Sequence, residues 1–318
     1  MSDQIIPAII AFVLVSVLSP LFIAFLRKLK LLQPIRKELP SNHQLKKGTP
    51  LMFGMILFVG IIVSIFFSPT PLMYFLSITY LLFSFIGFLD DFWKASRQDP
   101  LGVSGKTKLV LQFLFTGALL FYVINELGVD TVISIHKNFS FDLPMVVYII
   151  VITLFVVGSA NAINFTDGLD GLLGVVAIST YFFFFVISDK SEVQLFCIIM
   201  IGCLLGFLIY NLYPAKAFMG DTGSLAIGGS LSFLAIIEKV EILIPILFFI
   251  YFAEQLSVIL QVTSFKLTRK RIFRMTPIHF HYGLKYGWSE NTIVTVFGFV
   301  SWFCTSICLA YWKFILHP

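Results

Sequence analysis

The chain has 318 residues, of which 58% are hydrophobic and only 12% charged, with a formal net charge of +5. Soluble globular proteins are about 25% charged, and so few polar residues could not cover this chain in water. That excludes a soluble enzyme or a nucleic-acid-binding module, and predicts an all-α polytopic membrane protein formed by a single domain, 1–318.

About 20 apolar residues are needed to cross the hydrocarbon core as a helix. Apolar runs predict ten such helices, near 5–26, 51–68, 71–89, 108–125, 143–162, 171–188, 194–211, 223–238, 241–265 and 292–313. The 37 phenylalanines read as lipid-facing residues of these runs. Cys197, Cys203, Cys304 and Cys308 lie inside them and read as small hydrophobes, without zinc spacing. The first run is too long for a signal-peptide core and reads as a retained helix.

Ten crossings put both termini on one side, and the basic residues say which. Of 22 lysines and arginines, 18 fall after the first, third, seventh and ninth helices; only Lys137, Lys190, Lys239 and Lys313 fall on the other side. The basic side is cytoplasmic and both termini are outside. The longer outer loop, 126–142, carries no obvious chemistry.

Four polar patches fall on the cytoplasmic side. The largest, Asn161-Ala162-Ile163-Asn164-Phe165-Thr166-Asp167-Gly168-Leu169-Asp170-Gly171-Leu172, joins two apolar runs. Carboxylates at membrane depth are expensive and mark function by default. A cap for the next helix explains one of these residues, not five. Asn164, Asp167 and Asp170 are three apart and would share a face if helical. Asp90-Asp91-Phe92-Trp93-Lys94 closes the third predicted helix. It reads either as a solvated helix end with an Asp–Lys pair, or as a carboxylate pair able to supply a base or hold Mg²⁺. Phe218-Met219-Gly220-Asp221-Thr222-Gly223-Ser224 opens the eighth helix. Its free N–H groups offer a place for phosphate, and Lys216 and Asn211 beside it suit an anion. Asp221 or Thr222 acting only as a cap is the plainer reading. His279 and His281, in Pro277-Ile278-His279-Phe280-His281-Tyr282, would face one way in an extended segment. They suit hydrogen bonding to phosphate or sugar better than zinc; a structural pair is the alternative. Glu254 and Gln261, seven apart in the ninth helix, read as interhelical hydrogen-bonding groups.

Together the patches offer carboxylates for Mg²⁺ and lysines for phosphates where a lipid headgroup could arrive. That is what phosphoryl transfer between a soluble nucleotide and a lipid phosphate requires.

These motifs resemble those of the polyprenyl-phosphate N-acetylhexosamine-1-phosphate transferases. Asn42 to Pro50, Leu256 to Val262 and Lys270 to His279 make the chain similar to the phospho-N-acetylmuramoyl-pentapeptide transferase branch. The resemblance runs from the first cytoplasmic loop into the tenth helix. It implies ten helices and a cytoplasmic Mg²⁺ site in a bacterial plasma-membrane enzyme. The implied partners are UDP-MurNAc-pentapeptide and undecaprenyl phosphate within the lipid bilayer, giving lipid I and UMP. No nucleic acid is implied, and a homodimer is compatible. By motif, Asp90 and Asp91 match the aspartate pair, one of them the proposed base. Asp221 matches the metal-binding aspartate. Asn164, Asp167 and Asp170 match the cluster near metal and nucleotide, with Asp167 expected as a second metal ligand. Lys46 and Lys108 match lysines near the phosphates, joined by Lys94. Phe218 matches an aromatic that stacks on uracil. Asn161, Asn211, Gln261, His279 and His281 complete the expected substrate-binding set.

Two segments depart from the family pattern. Phe280 and Gly283 replace the middle histidine and the glutamate of Pro-x-His-His-His-Phe-Glu. Leu51 and Phe53 replace a hydroxyl residue and a glycine of Gly-Thr-Pro-Thr-Met-Gly-Gly. Both departures are expected to bear on the donor rather than the metal, so transfer from another UDP-aminosugar such as UDP-GlcNAc is the alternative. A transporter would place its acids near the bilayer midplane, and here they sit at helix ends. A scaffold without activity would tolerate loss of Asp90, Asp91, Asp167 or Asp221, and all four are present.

Overall fold

The computed structural model describes residues 2–34 and 48–316. It is a bundle of helices with one small hairpin. The chain runs α1 (Ser2–Lys28), a short 3₁₀ helix Phe53–Leu57 leading into α2 (Phe58–Phe67), α3 (Pro71–Arg97) and α4 (Gly105–Asn125). The hairpin strands β1 (Val132–His136) and β2 (Phe139–Asp142) follow. Then come α5 (Met145–Thr166), α6 (Leu172–Ile187), α7 (Ser191–Asn211), α8 (Gly220–Ile237), α9 (Ile244–Leu247), α10 (Phe249–Thr268), α11 (Ile278–Tyr286) and α12 (Glu290–Tyr311).

Among the described residues, seven helices are long and apolar enough to cross a membrane: α1, α3, α4, α5, α7, α8 and α12 with its extension to Leu316. The segments Glu241–Leu247 and Phe249–Thr268, bent by 73° to each other, form an eighth candidate. Phe53–Phe67 and Leu172–Ile187 are apolar but shorter. The protein is therefore an all-α, multi-pass membrane protein.

Local chemistry sets several helix starts. The Thr70 side chain accepts the N–H of Met73, with Pro71 at the first helical position. Ser104 accepts the N–H of Thr107, and Ser289 that of Thr292. Most helix bounds shift from the sequence expectation by a few residues, and two elements differ more. α3 runs on past residue 89 to Arg97, so Asp90 and Asp91 sit inside a helix rather than at its end. Their charges are met by lysines and by another helix's N–H groups, so they do not stop it. The predicted ninth helix, 241–265, is broken near Phe248, where the backbone leaves helical geometry. The 126–142 loop holds the antiparallel hairpin β1–β2, which apolar periodicity did not disclose: every residue of β2 is exposed.

α8 is the centre of the bundle. Of its most apolar 18-residue window 94% is buried, against 28% for α1 and α4. It packs on α3 and α5, while α7 packs on α1 and α6, and α12 on α6. Small residues let α3 and α8 approach: a Cβ on Gly87 would collide with the backbone carbonyl of Asp221. That close approach brings Asp91 to the first turn of α8. The exposed faces of α1 and α5 carry Ile5, Ile6, Ile9, Val13, Val17, Val146, Ile150 and Leu154, the lipid-facing pattern. All four cysteines are free and buried.

Candidate active site

Three carboxylates meet where α3 and α8 touch. Asp90, Asp91 and Asp221 each place an oxygen within 4.8 Å of the others. Asp91 is fully buried. Its carboxylate accepts the backbone N–H of Asp221 at 3.1 Å, and the N–H and hydroxyl of Thr222 at 2.8 and 2.6 Å. An internal anion therefore occupies the helix start expected to receive phosphate, and neither Asp221 nor Thr222 is the N-cap: that position is Met219.

Asp90 and Asp221 face two lysines. Lys94 lies 2.5 Å from Asp90 and 3.4 Å from Asp221; Lys108, on α4, lies 2.9 Å from Asp221 and 3.4 Å from Asp90. Asp90 also accepts the N–H of Val103 at 2.8 Å, closing the 98–104 connection over the cluster. Two cations and two carboxylates alternate in a half-buried ring. Such a ring suits a hard divalent cation together with phosphates, since Mg²⁺ takes oxygen ligands from one or two carboxylates and from substrate phosphates. Asp90, Asp91 and Asp221 are thus a group able to bind a metal ion.

The central polar segment is a turn, not a helical face. α5 ends at Thr166, and Asp167 follows with ψ 45°, so Asn164 lies on the last turn of α5 while Asp167 and Asp170 lie on the turn beyond it. Asn164 donates to Ser224 of α8 at 2.7 Å. Desolvation first, and then the negative charges of Asp221 and Asp91, hold the Asp167 carboxyl well above the usual range. Asp167 lies outside the carboxylate trio, yet it responds to two of its members. Asp170 accepts the N–H of Ala215 at 2.9 Å. Asn211 accepts the N–H of Gly171 and donates to Ala217, so it ties two loops together. Asn161 donates to Gln112 of α4 at 2.6 Å.

The basic loop after α10 is also more ordered than an extended reading allows. His279 and His281 lie on α11, so they do not face one way: His279 is fully buried and His281 is half-buried. His281 accepts the backbone N–H of Arg274 at 3.0 Å. Desolvation, then Lys285 and Arg274, lowers its pKa below the ordinary histidine value. Gln261 accepts the N–H groups of Ile272 and Phe273 at 3.0 Å and donates to the Phe273 carbonyl. Its hydrogen bonds hold the loop, not a neighbouring helix. Phe218 is half-buried, with its backbone pinned to Pro50 and Phe53. Lys216 is exposed and lies over the Tyr210 ring. Lys46 lies outside the described residues.

The departures from the family pattern have a structural place. Leu51 and Phe53 are buried, and Phe53 stacks on Phe207 at 4.9 Å. They fill the core beneath the 218–221 segment instead of facing a ligand. Phe280 is half-buried with its ring against His279. Sequence reasoning overlooked Thr222 as a partner of Asp91, Gln112 as a partner of Asn161, and the pairing of Glu254 with His279. Helical spacing of Lys108, Gln112 and Thr116 signalled a polar stripe on α4, and Glu254 stood out as a carboxylate in an apolar run.

Comparison with known proteins decides the family. The glycosyl transferase family 4 profile matches residues 73–239, which hold Asp90, Asp91, the central turn and Asp221. A phospho-N-acetylmuramoyl-pentapeptide-transferase of Clostridium beijerinckii is 45% identical over 302 residues, covering 93% of this chain and 92% of its own. Enzymes of the same name from Shouchella clausii and Anoxybacillus flavithermus are each 44% identical, the first over 92% of both chains and the second over 91%. The chain belongs to the phospho-N-acetylmuramoyl-pentapeptide-transferase family. Membership covers nearly the whole chain, including the altered 48–54 and 277–283 segments, and makes this protein a membrane transferase of glycosyl transferase family 4.

Proposed function

We propose that the protein transfers phospho-MurNAc-pentapeptide from UDP-MurNAc-pentapeptide to undecaprenyl phosphate, giving lipid I and UMP. The reaction belongs to peptidoglycan synthesis at the cytoplasmic face of the bacterial plasma membrane. The observation that carries the reading is the ring of Asp90, Asp221, Lys94 and Lys108 in a chain so similar to enzymes of this name. Seven long helices, one bent pair and two shorter apolar helices support ten crossings, and the basic-residue asymmetry supports termini outside.

In this reading an oxygen of the lipid phosphate attacks the sugar-bearing phosphorus of the donor. The bond to UMP breaks. Asp221 would hold Mg²⁺, with Asp167 on the α5–α6 turn as the second ligand, and the bound ion would supply positive charge to the phosphates. Lys94 and Lys108 exchange their carboxylate partners for phosphate oxygens as substrate enters. Asp91 is committed to the start of α8, which favours Asp90 as the group that takes the proton of the lipid phosphate. Phe218 offers a face for uracil. Lys46, Asn161, Asn164, Asn211, Gln261 and His281 act around the donor, several of them by holding loops. The relatives' shared name favours the muramyl donor over UDP-GlcNAc.

The test is transfer in detergent with undecaprenyl phosphate, Mg²⁺ and labelled UDP-MurNAc-pentapeptide. Lipid I from the parent, and at least about a thousandfold less from Asp221→Ala, is expected when electrostatic stabilisation is removed. A parent that makes no product from this donor but consumes UDP-GlcNAc would overturn the muramyl reading.

A further inference from the structure

Glu254 is fully buried within α10, and His279 is fully buried in the first turn of α11. The Glu254 Oε2 atom lies 3.0 Å from His279 Nδ1 and also accepts the His279 backbone N–H at 3.4 Å. The approach to Nδ1 is off the line of a good hydrogen bond, and Glu254 Oε1 and His279 Nε2 have no hydrogen-bond partner among the described residues. A buried pair with orphaned polar atoms is a poor stabiliser, and apolar side chains of the same volume would serve stability better. Stability alone therefore does not account for it.

The far edge of the imidazole gives the reason. His279 Cε1 and Nε2 lie against Gly168 so closely that any Cβ there would collide with them. Gly168 follows Asp167 directly and stands two residues before Asp170. The turn is thus gripped at two points, by Asp170 on Ala215 and by the imidazole on Gly168. One Glu254 oxygen lies close to both the ring nitrogen and the backbone N–H of His279, and this confines the ring and so the position of its other edge.

We propose that Glu254 is a positioning residue: through His279 it forms a buried strut that sets the Gly168 turn and hence the place of Asp167 beside the carboxylate cluster. His279 then acts on the turn rather than on the donor. The proposal rests on the phosphotransferase reading above.

The experiment uses the full-length protein with whichever of the two donors the parent turns over. Donor choice tests the reading, and variant-to-parent ratios test the strut, so the two fail separately. Glu254→Ala is expected to lower kcat by about tenfold with KM for the donor within twofold, since small misplacements near the reacting groups are costly. Glu254→Gln keeps an acceptor at the ring and should stay within about threefold of the parent. Gly168→Ala alone should lose as much as Glu254→Ala. Combined with it, the loss should be no greater than for the worse single variant, because an unheld ring can yield to the new methyl. Should Glu254→Ala not fold, Glu254→Asp, which withdraws the carboxylate by one methylene, takes its place in every comparison. A rise in KM at unchanged kcat, additive losses, a Gln variant as weak as Ala, or parental activity throughout would each overturn the strut.

Discussion

Asp91 and Thr222 show how a fully buried carboxylate is made tolerable inside a helix bundle. The charge is met by two backbone N–H groups and a hydroxyl at the positive end of a helix, not by a lysine. Replacing Thr222 with valine keeps shape and burial but removes the hydroxyl. Loss of a hydrogen bond to a charged group costs about 1.5–3 kcal/mol, so T222V should unfold at lower temperature in a detergent melt, with its helical signal otherwise unchanged. His281 supports a prediction about pH. Its folded pKa is lowered by desolvation, Lys285 and Arg274, so the unfolded chain binds a proton first as pH falls. The contribution of neutral His281 is complete above the ordinary histidine value and is lost as pH drops below it toward the folded pKa. Melts between pH 5 and 7.5 should show this fall in the parent and less of it in His281→Gln, and added salt should shrink the difference.

At the scale of elements, the contact between α3 and α8 creates the site. Gly87 permits the approach, and the approach places Asp91 on the first turn of α8 while leaving Asp90, one residue earlier, to the lysines. The basic loop after α10 is governed by one side chain. Gln261 binds Ile272 and Phe273 through three hydrogen bonds, and this connection leads directly into α11. Gln261→Ala should release it. Hydrogen exchange at the amides of residues 270–276 is expected to rise by at least about tenfold, the equivalent of 1.4 kcal/mol of local stability, with exchange in α8 unchanged.

For the whole molecule, two cations and two carboxylates alternate in a ring, and its carboxylates with Asp91 form a group able to bind a metal ion. A divalent cation that binds the folded protein must raise its melting temperature by mass action. Millimolar Mg²⁺ should stabilise the parent in detergent and leave Asp221→Asn unmoved. Equal stabilisation of both would place the ion elsewhere. The exposed apolar faces of α1 and α5 call for lipid, and detergent choice should therefore alter the melt more than it alters the Mg²⁺ increment.

Membrane class, helical architecture and the identity of the carboxylates and lysines were legible in the chain itself. Hydrocarbon selects long apolar runs and makes each buried charge conspicuous, so Asp90, Asp91, Asp167 and Asp221 stood out without any contact being known. Short-range spacing disclosed the pairing of Asp90 with Lys94 four residues on, but not the distant partners. That Asp91 meets the α8 N-terminus depends on two helices approaching at Gly87, and that Lys108 joins Asp90 depends on where α4 packs. Leu51 and Phe53 look like changes at a binding surface until packing puts them in the core. His279 looks like a ligand until α11 turns it inward onto Glu254 and Gly168. The contacts of Asp91 with α8, of Phe53 with Phe207 and of Gly168 with His279 join segments more than a hundred residues apart, and only the tertiary structure decides them, because composition and periodicity report a residue's solvent and not its partner.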